Sequence, residues 1–288
     1  MRLSTRLLVL LGLTGIGLIV ASVISVVLIT QVGWLSGLTA QDIFAFIVPA
    51  IAAMAIFYRR PLHVMCLDRA PSWMSLFVVV LFFIVSLPAM NWLVAFNESM
   101  TLPSWMSGIE DLMRKAEDEA ADLTKTLLDI NSIGQLLVTL FVVGLMAGLS
   151  EEILFRGAML RTMQDSRLGT HAVVWIVAIV FSAIHLQFYG FLPRMIIGVW
   201  LGYLLVWTRS LWVPIIAHTL NNSTVVVSSY LENKGLVSEG FGDNMGLPAD
   251  GGIPWLAIAS FIVSIAIAVW AHRYYKRKNE ETYNIARP

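Results

Sequence analysis

Three groups of polar side chains interrupt stretches that are otherwise apolar, and their residue types are those of acid–base chemistry. The first is Glu151-Glu152-x-x-x-Arg156, set within "GLMAGLSEEILFRGAML". The second is His185 in "FSAIHLQFY", and the third is the pair His218 and Asn222 in "IIAHTLNNS". A charged side chain at bilayer depth costs roughly 2.5–3.5 kcal/mol on insertion scales, so each needs a partner or a use. On a helix, Glu152 and Arg156 stand one turn apart on one face and can pair. Glu151 is turned about 100° from Glu152, which leaves its carboxylate available as a general base. His218 and Asn222 also share a face. Hydrolysis of an amide requires such a set: a base, a proton donor and hydrogen-bond donors aimed at developing negative charge.

Each group alone is a weak signal, because a lone histidine in an apolar helix is commonly a packing residue. His63, His171 and His272 fall in or beside predicted loops, where solvation accounts for them. Packing is a poorer explanation for the three groups together, since all six side chains fall within residues 151–222.

The elements that must position them are membrane helices. Of 288 residues, 58% are hydrophobic and 13% charged, with a mean hydropathy of +0.77. Soluble domains average about 45–50% apolar and about 25% charged, so the expected fold is an all-α polytopic membrane helix bundle, one membrane domain over 1–288. The formal net charge is zero and no basic block occurs, which argues against nucleic acid as a partner and leaves membrane lipid. The single cysteine, Cys66, rules out an intrachain disulfide and a cysteine-rich metal site. Near Arg59, Arg60 and Arg69 it reads as a spectator thiol in a short loop.

A crossing helix needs about 20 apolar residues. Eight segments qualify: 7–29, 42–58, 73–95, 133–160, 171–188, 192–208, 212–230 and 253–271. The first follows Arg2 and Arg6 but outruns the 7–15-residue apolar core of a signal peptide, so it reads as a retained helix. The fourth and fifth form a hairpin turning near "QDSRLGT", centred at about residue 168. Glu151 and His185 are equidistant from that centre and therefore share a depth, roughly 25 Å from the turn. His218 counts to a different depth, so helix tilt or a break near Pro214 is expected. With the N-terminus cytoplasmic, thirteen Lys and Arg fall on the cytoplasmic side and four (Arg114, Lys115, Lys125 and Lys234) on the other. That asymmetry predicts both termini inside and suits a plasma (inner) membrane.

Segment 103–131 differs. Trp105, Ile109, Leu112, Ala116, Leu123, Leu127 and Ile130 recur at helical spacing, and Ser107 with Glu110 resembles a capping box. It predicts an amphipathic interfacial helix, too polar to span, serving as a connector or as a lid. Gly144 with Gly148 and Gly198 with Gly202 put small residues one turn apart, which permits close helix packing. The Gly-rich acidic stretch 231–252 reads as an exposed, mobile loop.

The ordered motifs Glu151-Glu152…Arg156, Phe181…His185 and His218…Asn222 resemble those of the CPBP family, the type II CAAX prenyl endopeptidases and their Abi bacteriocin-immunity-type relatives. The resemblance covers 133–230, the expected catalytic core, and the remaining segments carry no motif. It implies an intramembrane endopeptidase acting on a membrane-associated peptide or lipidated protein. By that resemblance, Glu151 and His185 hold and activate the attacking water, and Glu152 and Arg156 orient them. Arg156 is also placed to meet a substrate carboxylate, and His218 with Asn222 stabilises the oxyanion. Two mechanisms stay open. One is metal-free and needs no cofactor; Asn222 beside His218 favours it. The other places a divalent metal such as zinc on His185, His218 and Glu151.

Two other classes use the same residues differently. A proton-coupled transporter would relay protons through the buried Glu and His groups, although the chain shows no repeated halves. An inactive protease-like scaffold would retain the residues without turnover.

Overall fold

The computed structural model describes residues 1–238, 240, 242–248 and 251–285, the last five by backbone alone. Nine helices of eight or more residues carry the described chain. They are α1 (Leu3–Gln31), α2 (Trp34–Phe57), α3 (Trp73–Glu98), α4 (Ser107–Leu127), α5 (Ile133–Gln164), α6 (Thr170–Ala183), α7 (Phe191–Thr208), α8 (Trp212–Asn233) and α9 (Trp255–Ile285). The fold is an all-α polytopic membrane bundle, and six of these helices (α1, α2, α3, α5, α7 and α9) are long and apolar enough to cross a bilayer.

Two of the eight expected spans depart from that description. The segment expected over 171–188 is helical only over Thr170–Ala183, about 21 Å at 1.5 Å per residue. Beyond Ala183 the chain turns, and Leu186 adopts a left-handed φ of 56°, so His185 sits in a turn and not on a helix. The second, α8, has the length but carries His218, Asn221, Asn222 and Ser223 in its middle. Pro214 does not break it. As the third residue of the helix it removes an N–H that has no intrahelical partner there.

Lipid-facing and core-facing surfaces are separated by side-chain size more than by polarity. On α1, Leu8, Ile19, Val23 and Val26 are exposed, whereas Leu10, Gly17 and Ala21 are buried. A Cβ at Gly17 would lie 2.6 Å from Cγ of Pro49, so α1 and α2 touch there at backbone distance. The main core joins Met54, Met65, Phe155, Leu160, Val177, Phe181 and Ile215 from five parts of the chain.

Helix α3 is capped by Ser72, whose hydroxyl accepts from the Ser75 amide at 3.2 Å, and it contains Pro88. Ser260 of α9 repairs the local ladder. Its hydroxyl accepts from the Ala89 amide at 3.2 Å and donates to the Val85 carbonyl at 2.5 Å. A side chain from a neighbouring helix thus satisfies backbone groups freed in lipid.

The expected capping box on the amphipathic segment does not form. Ser107 is the first residue of α4, and no side chain caps this helix. Glu110 instead accepts from the Leu102 amide at 2.9 Å and from Arg114. Trp105, in a 3₁₀ turn over Ser104–Met106, is exposed together with Ile109 and Leu112, and no residue of α4 is buried. Within the Gly-rich stretch, residues 239, 241, 249 and 250 lie outside the described set, as does Arg287 among the counted charges.

Candidate functional site

Helix α5 bears the first group, and its backbone is unusual. It has π-helical turns over Leu140–Met146 and Ile153–Leu160, on either side of the α-helical turns carrying Glu151 and Glu152. Such turns are rare and collect at functional sites. Two glycines bring α5 against α8. A Cβ at Gly148 would lie 2.9 Å from the Thr219 hydroxyl and 3.0 Å from its amide nitrogen; one at Gly144 would lie 2.7 Å from the Ser223 hydroxyl. This contact sets His218 beside the two glutamates.

Glu152 is the hub. Its Oε1 accepts from Arg156 Nη1 at 2.6 Å and from His218 Nδ1 at 2.9 Å, and Glu152 and Arg156 are both fully buried. A carboxylate paired with a guanidinium is acceptor-only, so the His218 hydrogen resides on Nδ1 and Nε2 points the other way. Nε2 faces Glu151 Oε2 at 3.7 Å, a separation that one water can bridge from the side. Glu151 is the more open carboxylate, with 19% of its side chain exposed.

Arg156 is enclosed on all sides. Its Nη2 donates to the Gly198 carbonyl at 2.9 Å, and its guanidinium lies 4.6 Å over the Phe181 ring. With no exposed surface, it is packed wholly inside the bundle. Gly198 permits the arrangement, since a Cβ there would press within 3.2 Å of Phe181 and Ala178.

Phe181 links the second group to the third. Its ring meets His185 edge-on at 5.2 Å and His218 edge-on at 6.0 Å between centroids. His185 Nδ1 bonds the Phe181 carbonyl at 2.8 Å, leaving Nε2 as the available nitrogen. Asn222 lies one turn beyond His218. Its amide nitrogen donates to the Val143 carbonyl at 3.2 Å and its oxygen accepts from Asn221. The structure therefore brings Glu151, Glu152, Arg156 and His218 into one network, adds His185 through Phe181, and holds Asn222 on the neighbouring π-helical turn.

Both histidines are oriented through Nδ1, by a carboxylate and by a carbonyl, a pattern that also serves metal ligands. Among the described residues, no three His, Cys, Asp or Glu side chains are grouped closely enough to hold an ion.

Three residues near the site carried no motif. Asp42, a buried residue of α2, accepts from the Ser150 hydroxyl at 2.7 Å directly behind Glu151. Arg194, in the first turn of α7, donates to Gln187 at 2.7 Å while its buried Nη1 has no hydrogen-bond partner among the described residues. It lies within electrostatic range of Glu151 and Glu117. Asn97, at the end of α3, ties down the turn that holds His185 by donating to the Phe188 carbonyl and accepting from the Leu192 amide. An arginine or aspartate inside a predicted span was the signal available for the first two.

Helix α4 reaches the same turn. Glu117 accepts from the Tyr189 amide at 3.3 Å, and Arg114 lies 4.6 Å over the Tyr189 ring. Arg114 and the Leu102 amide hold the Glu110 carboxyl below the usual carboxylate range.

No curated protein and no solved structure matches the chain. Residues 133–224 match the family model described as type II CAAX prenyl endopeptidase Rce1-like, and this segment, about a third of the chain, contains all six candidate residues.

Proposed function

We propose that the protein is an intramembrane endopeptidase that hydrolyses a peptide bond of a membrane-associated or lipidated substrate. The observation that carries this reading is the chain Arg156–Glu152–His218 with Glu151 across from the free ring nitrogen. Glu151 takes a proton from water held between itself and a histidine, and the hydroxide adds to the scissile carbonyl. The proton then passes to the leaving amine as the C–N bond breaks, giving an acid and an amine. His185 Nε2 completes the hold on the water. His218, positioned by Glu152, and Asn222 face the oxyanion; donation from Nε2 of His218 requires its imidazolium form. The metal-free route is preferred, because Glu152 and Arg156 already supply an oriented, charge-compensated pair. If zinc binds, Glu151 and the two Nε2 atoms would have to draw together to hold it, and it would polarise the carbonyl.

A substrate carboxylate is assigned to Arg194, whose Nη1 has no hydrogen-bond partner among the described residues. Arg194→Gln should lower cleavage of a peptide acid relative to its C-terminal amide; equal loss on both would remove this role.

The proposed topology has eight membrane segments, α6 and α8 lying within the bundle, with both termini cytoplasmic in a plasma (inner) membrane and residues 133–230 as the catalytic core. Comparing membrane peptidomes from cells with wild-type protein and with Glu151→Ala tests the activity. Identical peptide sets would overturn it.

A further inference from the structure

The opposite end of the bundle carries a second polar concentration that the peptidase reading does not use. A cavity of about 360 Å³ lies where the 58–72 connection, the last turn of α5 and the α7–α8 turn meet. Its walls include Arg69, Arg161 and Arg209, with Gln164 and Cys66. Among the described residues, none of the three guanidiniums takes part in an ion pair. Three cations around one cavity repel each other unless an anion compensates them.

The walls are built and held. Ser210 donates to the Arg69 carbonyl at 2.5 Å, the Leu211 amide to the Cys66 carbonyl at 3.0 Å, and Trp212 to the Leu67 carbonyl at 2.8 Å. Arg161 is anchored by Nε to the Val64 carbonyl and by Nη1 to Gln164. Cys66 and Arg209 both adopt left-handed backbone, with φ of 60° and 53°. Neither residue type favours that region, and such strain persists where the surroundings over-determine it, often at ligand sites. Arg209 also lines a larger neighbouring cavity of about 520 Å³, together with His272, Lys276 and one carboxylate, Glu280.

We propose that this cavity binds the phosphate of an anionic phospholipid headgroup. Guanidinium forks match phosphate oxygens in pairs. The cavity lies where α5 and α7 end and α8 begins, at headgroup level, and basic pockets between helix ends are suited to such lipids. A free phosphate compound presents the same chemistry, so the test separates the two sources.

The full chain, purified in a zwitterionic detergent, is titrated with phosphatidylglycerol, phosphatidylcholine and inorganic phosphate, and bound lipid is read by native mass spectrometry. Phosphatidylglycerol should bind in preference to phosphatidylcholine and resist displacement by inorganic phosphate. The side chains of Arg69 and Arg209 hold no wall of the cavity together, so Arg69→Gln with Arg209→Gln should fold and weaken that binding about tenfold or more. Arg59→Gln with Arg60→Gln removes as much charge from the same end outside the cavity and should leave it within threefold. Equal weakening by the two pairs, or no preference between lipids, overturns the site. Saturable binding of inorganic phosphate that displaces the lipid overturns the lipid assignment.

Discussion

Gly148 packs against Thr219 so closely that a Cβ would come within 3.0 Å of the Thr219 backbone nitrogen. Backbone cannot step aside as a flexible side chain can. Gly148→Ala should therefore separate α5 from α8, destabilise by about 1–3 kcal/mol, and lower cleavage beyond what the lost stability explains. Gly12→Ala, which meets nothing within 4 Å, should be neutral or slightly stabilising. Melting temperature and peptide cleavage for the two variants check this.

Glu151 and Arg156 should fail in different ways. Glu151→Gln keeps shape and removes basicity, so turnover should fall about 10²–10⁴-fold with an unchanged melting temperature. Arg156→Ala leaves Glu152 buried beside His218 without its cation, and breaking a buried pair costs about 3–5 kcal/mol. It should lose both activity and stability. An active Glu151→Gln enzyme, or zinc restoring a chelated one, would refute the metal-free, glutamate-based mechanism.

Asn222→Ala should reduce turnover about 10²–10³-fold, as for one lost oxyanion donor, with little change in KM. Because its amide also holds the Val143 carbonyl, Asn222→Asp is the sharper probe. A normal kcat in either variant would assign Asn222 to helix packing alone.

The seat of α4 on Tyr189 should respond to acid only. Glu110 titrates below its ordinary 4.5 because Arg114 and the Leu102 amide hold its anion. A depressed carboxyl contributes above its unbound value, and that contribution is lost as pH falls through the depressed one. A fluorophore on Lys115 should therefore report a constant environment from neutral pH down to 4.5 and release only below it. Release near pH 6 would rule Glu110 out as the latch.

Topology reporters placed after Arg60 and within 231–252 should report opposite sides of the membrane, as the Lys and Arg asymmetry requires. Agreement between them would overturn the eight-segment arrangement.

The bundle class was legible from composition, and the hairpin turn from "QDSRLGT": α5 ends at Gln164 and α6 starts at Thr170. Helix spacing also gave the Glu152–Arg156 pair. The turn at His185 was not legible, because "AIHLQF" reads as continued apolar helix and the Asn97 contact that bends it comes from 91 residues away. Equal residue counts put Glu151 and His185 at one depth, but gave no sign that the Glu151 carboxylate faces His218. The π-helical turns and the glycine contact with α8, neither visible to a count of 1.5 Å steps, decide that partner.

The early end of α6 has a consequence for the surrounding bilayer. Trp175, Ile179, Ile184 and Leu186 are all exposed along this side, so lipid tails meet an apolar wall only about 21 Å tall beside a hydrocarbon slab of about 30 Å. Local thinning, snorkelling of flanking side chains or association with another helix can meet the mismatch, each at a cost of fractions of a kcal/mol per ångström. Where thinning takes up the difference, headgroups and water descend toward the bilayer centre beside the turn bearing His185, and membrane thickness itself becomes a variable to which the protein responds.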